Sequence, residues 1–176
     1  MINIIGRNIL RLIFLVLLQV LILNEIRLFD EINPYLYLLF ILLLPFETPK
    51  WALLIMGFAL GLTIDVFSNS LGLHTSATVL VAYLRQFILQ VFAPRDGYET
   101  GTFPRAYYYG FGWFTKYVVL LILIHQSVLY FLEAYSFENA FETLRLIVIG
   151  TIFTTILVVM SQLFMYRRQA DETVWP

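Results

Sequence analysis

Apolar stretches of about membrane-spanning length recur along this chain and constrain its fold more than any other feature. Of its 176 residues, 60% are hydrophobic and only 13% are charged, whereas about a quarter of a soluble domain is charged. About 20 apolar residues are needed to cross a hydrocarbon core of roughly 30 Å. The sequence therefore predicts an all-α, polytopic integral membrane protein.

The same length criterion predicts six transmembrane helices in a single domain that covers residues 1–176. The predicted spans lie at about residues 8–23, 34–46, 51–67, 73–92, 114–132 and 144–164. The second span is short enough that a re-entrant or tilted segment competes with a full crossing. The connection 93–113 is rich in aromatic residues, which prefer the level of the lipid headgroups, so it is expected to lie along the interface.

The distribution of Lys and Arg predicts that both termini are cytoplasmic. Six spans with this orientation place two basic residues outside, Arg27 and Arg145. They place eight inside, in agreement with the positive-inside rule: Arg7, Arg11, Lys50, Arg95, Arg105, Lys116, Arg167 and Arg168. No small-residue cleavage site follows the first apolar stretch, which is therefore predicted to be an uncleaved anchor.

A single acid lies within the third predicted helix, at the end of a stripe of small residues. Gly57, Gly61 and Asp65 are four residues apart and so share one helix face, where glycines allow a second backbone to approach closely. A carboxylate in lipid costs several kcal/mol unless it faces other helices, water or a partner. Asp65 is thus predicted to fix the bundle or dock a partner, with ion coupling or catalysis as the alternative.

The fourth predicted helix continues this polar region. His74, two residues after Gly72, lies at nearly the depth of Asp65 and is its predicted partner, with a side chain that is only hydrated at the interface as the alternative. Thr78 and Arg85 share the inward face, but Arg85 lies too deep for an ion pair with Asp65 and is expected to snorkel to the inner surface. The alternative for Arg85 is a lipid headgroup or a partner carboxylate. The predicted partner-binding or structural polar site comprises Gly57, Gly61, Asp65, Gly72, His74, Thr78 and Arg85.

Signatures of catalysis are absent from the sequence. The chain has no cysteine and only two histidines, and it lacks the HExxH and Gly-x-Ser-x-Gly motifs. We therefore predict no enzyme activity, cofactor or metal site. His125 and Gln126 are expected to hydrogen-bond between helices, with a proton relay as the alternative. A net charge of −1 without a basic cluster argues against a nucleic-acid partner.

The order of these features resembles the rod shape-determining MreD family. The resemblance rests on Gly61-Leu-Thr-Ile-Asp65-Val-Phe and Leu71-Gly-Leu-His74, preceded by Asn33-Pro-Tyr and Leu44-Pro45. It implies a non-enzymatic, multi-pass scaffold in the bacterial inner membrane that binds an MreC-like protein. It also implies joint action with MreB, RodA and a class B penicillin-binding protein in lateral peptidoglycan synthesis. The aromatic connection 93–113 departs from many members of the family.

The family is also thought to share the fold of the substrate-binding subunits of energy-coupling-factor (ECF) transporters. A vitamin-binding subunit of that kind is accordingly the alternative function, with the polar face of the fourth helix enclosing the ligand. Such subunits need a small-residue motif on the first helix, whereas here that helix is rich in leucine and Gly6 lies at its edge. An enzyme acting on lipid-linked sugars would need several acids or arginines around one cavity, which the predicted spans do not supply.

Overall fold

The structure is a helical bundle, and the all-α prediction is confirmed for the residues it describes. The computed structural model describes the backbone of residues 2–26, 32–70, 72–135 and 139–174, and within these ranges the side chains of residues 6 and 8–165. The elements are α1 (Ile2–Leu18), a π-helical turn (Gln19–Leu23), a 3-10 turn (Leu36–Leu38), α2 (Leu39–Leu42), α3 (Lys50–Ser68), α4 (Leu73–Val91), α5 (Ala106–Tyr109), α6 (Phe111–Ala134) and α7 (Ala140–Val174). Arg27 and Leu71, and the side chains of Arg7, Arg167 and Arg168, lie outside the described residues.

Three of the described helices are long and apolar enough to cross a membrane: Lys50–Ser68, Phe111–Ala134 and Ala140–Met165. The last two extend beyond the predicted spans 114–132 and 144–164. The extensions contain aromatic and charged residues that suit the ends of a membrane helix. The first helix likewise begins before the predicted residue 8, at Ile2.

One hydrogen bond fixes the path of the chain between α1 and α3. The Nδ2 atom of Asn24 donates to Oγ of Ser68 at 3.0 Å, so the ends of the first helix and of α3 lie at the same end of the bundle. The start of α3, at Lys50, is then roughly 27 Å away, at about 1.5 Å per residue. The chain between residues 24 and 50 must therefore run the length of the bundle.

The segment that makes this passage, residues 32–44, is not the continuous helix that the sequence predicts at 34–46. Only residues 36–42 are helical, in a 3-10 turn followed by a single α-helical turn. Residues 37–44 are each at most 5% exposed. We call residues 32–44 the central segment. Because part of it is extended, it covers roughly 28 Å in 13 residues.

The remaining helices pack in chain order, with α3 against α4, α4 against α6, and α6 against α7. The Nε1 atom of Trp113 donates to the carbonyl of Phe92 at 2.8 Å, so α6 starts where α4 ends and runs antiparallel to it. The aromatic connection packs across this end of the bundle, with Tyr98 stacked on Phe46 at a ring-centroid distance of 4.1 Å. Burial raises the pKa of Tyr98 to about 12, and its hydroxyl donates to the carbonyl of Leu89 at 2.7 Å.

Candidate functional site

The predicted polar site begins at the turn between α3 and α4, where the Asp65 carboxylate collects five hydrogen bonds. Its Oδ1 atom accepts from Ser70 Oγ at 2.6 Å, from the backbone amide of His74 at 3.0 Å, and from Nδ1 of His74 at 3.0 Å. Its Oδ2 atom accepts from the amide and the hydroxyl of Thr75, at 2.9 and 2.5 Å. The side chain of Asp65 is 4% exposed, and the predicted pairing with His74 is present.

Asp65 takes the place of a side-chain cap at the start of α4. The N-cap residue of α4 is Gly72, which has a φ of 79° and no side chain. A helix start leaves its first amides without partners, and an N-cap oxygen normally accepts from the second or third of them. Here those amides belong to His74 and Thr75, and the carboxylate comes from the preceding helix. The positive end of the α4 dipole also favours the negative charge.

These contacts limit the chemistry available at Asp65. A carboxylate offers about four lone-pair positions, and five donor contacts already surround it. A general base or a cation ligand needs an oxygen that is open to another group. The geometry at Asp65 therefore matches a structural lock between two helices. Of the described residues, no three His, Asp or Glu side chains are grouped as a metal site would require.

The glycine stripe faces α4 of the same chain. A Cβ atom placed on Gly61 would lie 2.5 Å from Cα of Thr75, and one on Gly57 would lie 2.9 Å from Cβ of Ala82. Neither position has room for a methyl group without movement of α4. The small residues thus bring α3 and α4 close enough for Asp65 to reach the start of α4.

Arg85 differs from its sequence-based prediction. Instead of snorkelling to the inner surface, it is 0% exposed and donates through Nη2 to the carbonyls of Leu44 and Pro45. Its Nε atom donates to the hydroxyl of Tyr117 at 3.1 Å. The break after α2 leaves carbonyls that no helical amide can satisfy, and these attract the guanidinium inward.

Further polar side chains, none of them in the site predicted from the sequence, bind backbone groups of the central segment. Gln19 donates to the carbonyl of Pro34 at 2.8 Å and accepts from the amide of Tyr37 at 3.4 Å. Thr154 accepts from the amide of Tyr35 at 3.3 Å, and Tyr117 donates to the carbonyl of Leu42 at 3.0 Å. The sequence signal for Gln19 was its position inside a leucine-rich helix, because a polar side chain there needs a hydrogen-bond partner.

The two histidines flank the central segment from α4 and α6. The hydroxyl of Tyr37 lies 2.8 Å from Nε2 of His125 and 3.4 Å from Oγ1 of Thr78. The ring of Tyr35 contacts His74 and His125 at centroid distances of 5.4 and 5.6 Å. Tyr37, Thr78 and His125 are each 0% exposed. His125 thus makes the predicted hydrogen bond to another part of the bundle.

Gln126 makes the other predicted bond, donating to Oγ1 of Thr154 on α7 at 3.3 Å. The structure therefore divides the predicted site in two. Asp65, Gly72 and His74 form the turn between α3 and α4, whereas Thr78 and Arg85 contact the central segment or its end.

No protein-family model matches this chain, and no significant match was found among curated proteins or solved structures.

Proposed function

We propose that this chain is a non-enzymatic scaffold of the bacterial inner membrane that acts in the rod-shape elongation machinery and binds an MreC-like protein. The proposal takes its partners from the resemblance of the Gly61-to-His74 motif to the MreD family. It includes the six-span topology with both termini in the cytoplasm. MreB, RodA and a class B penicillin-binding protein would be indirect partners in lateral peptidoglycan synthesis.

The observation that carries the scaffold assignment is the saturated carboxylate of Asp65. Asp65, the acid of the motif, fixes α3 against α4, because two of its five hydrogen bonds come from backbone amides of α4. A proton or ion carrier needs an acid that can exchange its partners. A pair of helices held together by a saturated carboxylate instead offers a fixed outer surface to a partner.

Gly61 and Asp65 of the motif support partner binding indirectly, because these two residues face inward. Asp65 is 4% exposed and Gly61 contacts α4. An MreC-like partner would dock on outward-facing apolar residues of the bundle, in the way that membrane helices pack. Asp65→Leu or Gly61→Leu is therefore expected to weaken association by altering the relative placement of α3 and α4, while the chain still inserts.

Co-purification from native membranes tests this function. The tagged protein is solubilised in mild detergent, and retained proteins are identified by mass spectrometry. An MreC-like protein is the expected result. Asp65→Leu should retain less of it, and Asp96→Asn, which changes an exposed acid of the connection 92–105, should retain the wild-type amount. Absence of such a partner, or equal retention by the Asp65→Leu variant, contradicts the scaffold proposal.

The vitamin-binding alternative is separated by a ligand assay. In the described structure, the polar face of α4 contacts protein groups: Thr78 meets Tyr37 and Arg85 meets Leu44. A binding subunit would have to open this face to admit a ligand. Addition of vitamins should leave the melting temperature of the purified scaffold unchanged, whereas it would raise that of a binding subunit.

A further inference from the structure

A narrow apolar slot lies between α1 and α3, on the outer surface of the bundle. Its volume is about 260 Å³. Its lining comes from α1, the central segment and α3, and includes Leu12, Leu17, Phe40, Ala59 and Thr63. Thr63 is the one polar member, and its hydroxyl already donates to the carbonyl of Ala59 at 2.7 Å. An apolar occupant would therefore leave no polar group of the lining without a hydrogen bond.

A positively charged side chain lies at one end of the slot. Arg11 lies one residue before the lining residue Leu12, and its guanidinium stands 5.8 Å from the ring centroid of Phe40, which also lines the slot. Its Nη2 atom donates to Oδ1 of Asn8 at 2.8 Å, whereas its Nε atom is buried and makes no hydrogen bond within the described residues. A cation with an unused donor thus stands where the apolar lining begins.

We propose that this slot and Arg11 form a binding site for one anionic phospholipid. An acyl chain occupies the slot between α1 and α3, and the headgroup phosphate binds the guanidinium of Arg11. A guanidinium binds phosphate oxygens through a planar fork of N–H donors. A phosphate at this position would also give the buried Nε atom of Arg11 a partner.

The direction of the slot favours a hydrocarbon chain that extends from a headgroup at Arg11. Along α1, the lining runs from Leu12 to Leu17, which is roughly 8 Å at 1.5 Å per residue. This length begins at Arg11 and runs towards the middle of the bundle, as an acyl chain does below its headgroup.

Native mass spectrometry of the detergent-solubilised full chain tests the proposal. The probes are phosphatidylglycerol and phosphatidylcholine with identical palmitoyl and oleoyl chains. The wild-type protein is expected to retain one phosphatidylglycerol with about tenfold preference, the size of effect that one charge-assisted contact provides. This comparison needs no variant, so it does not depend on how a substitution folds. Equal retention of the two lipids overturns the proposal.

Two matched pairs of variants test the headgroup and chain positions. Arg11→Gln should abolish the preference, whereas Lys50→Gln should keep it, because Lys50 is exposed and stands over the ring of Phe87 instead. Ala59→Trp should fill the slot and reduce retention of both lipids about tenfold. Ile55→Trp, on α3 but outside the lining, should not reduce it. The assignment is contradicted if Ala59→Trp retains as much lipid as the wild type. It is also contradicted if Arg11→Gln and Lys50→Gln change lipid retention equally, or if Ala59→Trp and Ile55→Trp do.

Discussion

The Asp65 carboxylate of α3 accepts the backbone amide of His74, at 3.0 Å, nine residues later in the first turn of α4. Together with the bond from the amide of Thr75 at 2.9 Å, this contact makes the end of one helix the cap of the next. The glycine stripe enables it, because Gly61 admits the backbone of Thr75. The stability of the α3–α4 pair should therefore depend on both features.

Replacement of Asp65 by Leu should lower the free energy of unfolding by about 2–3 kcal/mol. The physical reason is that the variant leaves two amides of α4 and the hydroxyl of Ser70 without their acceptor. Thermal or steric-trap unfolding in detergent measures the effect. Asp96→Asn is the control in an exposed loop, and an Asp65→Leu protein as stable as this control would refute the capping role.

Substitution of Gly57 by Ala should destabilise the bundle by about 1–3 kcal/mol through overpacking. The new Cβ would meet Cβ of Ala82 at 2.9 Å, so the double variant Gly57→Ala/Ala82→Gly should recover much of the loss. Gly112→Ala is the control, since nothing lies within 4 Å of its Cβ position. The same unfolding assay applies, and failure of Ala82→Gly to rescue would disprove this contact.

Removal of Arg85 should loosen the end of the central segment more than the rest of the protein. Arg85→Met leaves the carbonyl of Leu44 without its buried donor, at a cost of about 1–3 kcal/mol, whereas the carbonyl of Pro45 keeps the hydroxyl of Thr48 at 2.8 Å. Hydrogen exchange measured by mass spectrometry should show faster exchange in peptides that cover residues 39–48. Arg95→Met, in an exposed connection, should leave exchange there unchanged, and equal protection in both variants argues against the role of Arg85.

Gln19 should be far less replaceable than its position in a leucine-rich helix suggests. Gln19→Leu removes the donor to the carbonyl of Pro34 and the acceptor for the amide of Tyr37. The free energy of unfolding should therefore fall by about 2 kcal/mol. Gln19→Glu keeps only the acceptor for Tyr37, so its free energy of unfolding should lie between those of the wild type and of Gln19→Leu. Gln90→Leu, on the exposed face of α4, is the matched control. A Gln19→Leu protein that melts with the wild type would contradict this prediction.

The path of the chain predicts opposite membrane sides for two exposed loops. The chain contains no cysteine, so Asn69→Cys and Asp96→Cys each supply a unique thiol. An impermeant maleimide added to intact cells, with the outer membrane permeabilised where one is present, should label the first but not the second until the cells are lysed. A reporter fused after Phe164 should be active in the cytoplasm. Labelling of both thiols in intact cells would reject the topology.

Several features of the site followed from local sequence. The spacing of Gly57, Gly61 and Asp65 placed them on one face of a helix, and the short turn placed His74 beside the acid. Both relations depend on a helical repeat and on a connection of a few residues, which sequence specifies directly. The all-helical fold followed for a similar reason, because long apolar runs in lipid must satisfy their own backbone.

Tertiary structure decided the form of the central segment and the place of Arg85. A run of leucines between Pro34 and Pro45 is equally compatible with a continuous helix, and only the surrounding helices make a broken one stable. Gln19, Thr154 and Tyr117 reach its backbone from three different elements. The apolar pattern of the sequence specified the long helices of the bundle, because such helices satisfy their own backbone groups. In the central segment the packed bundle left backbone groups open, and those groups drew the buried polar side chains to them.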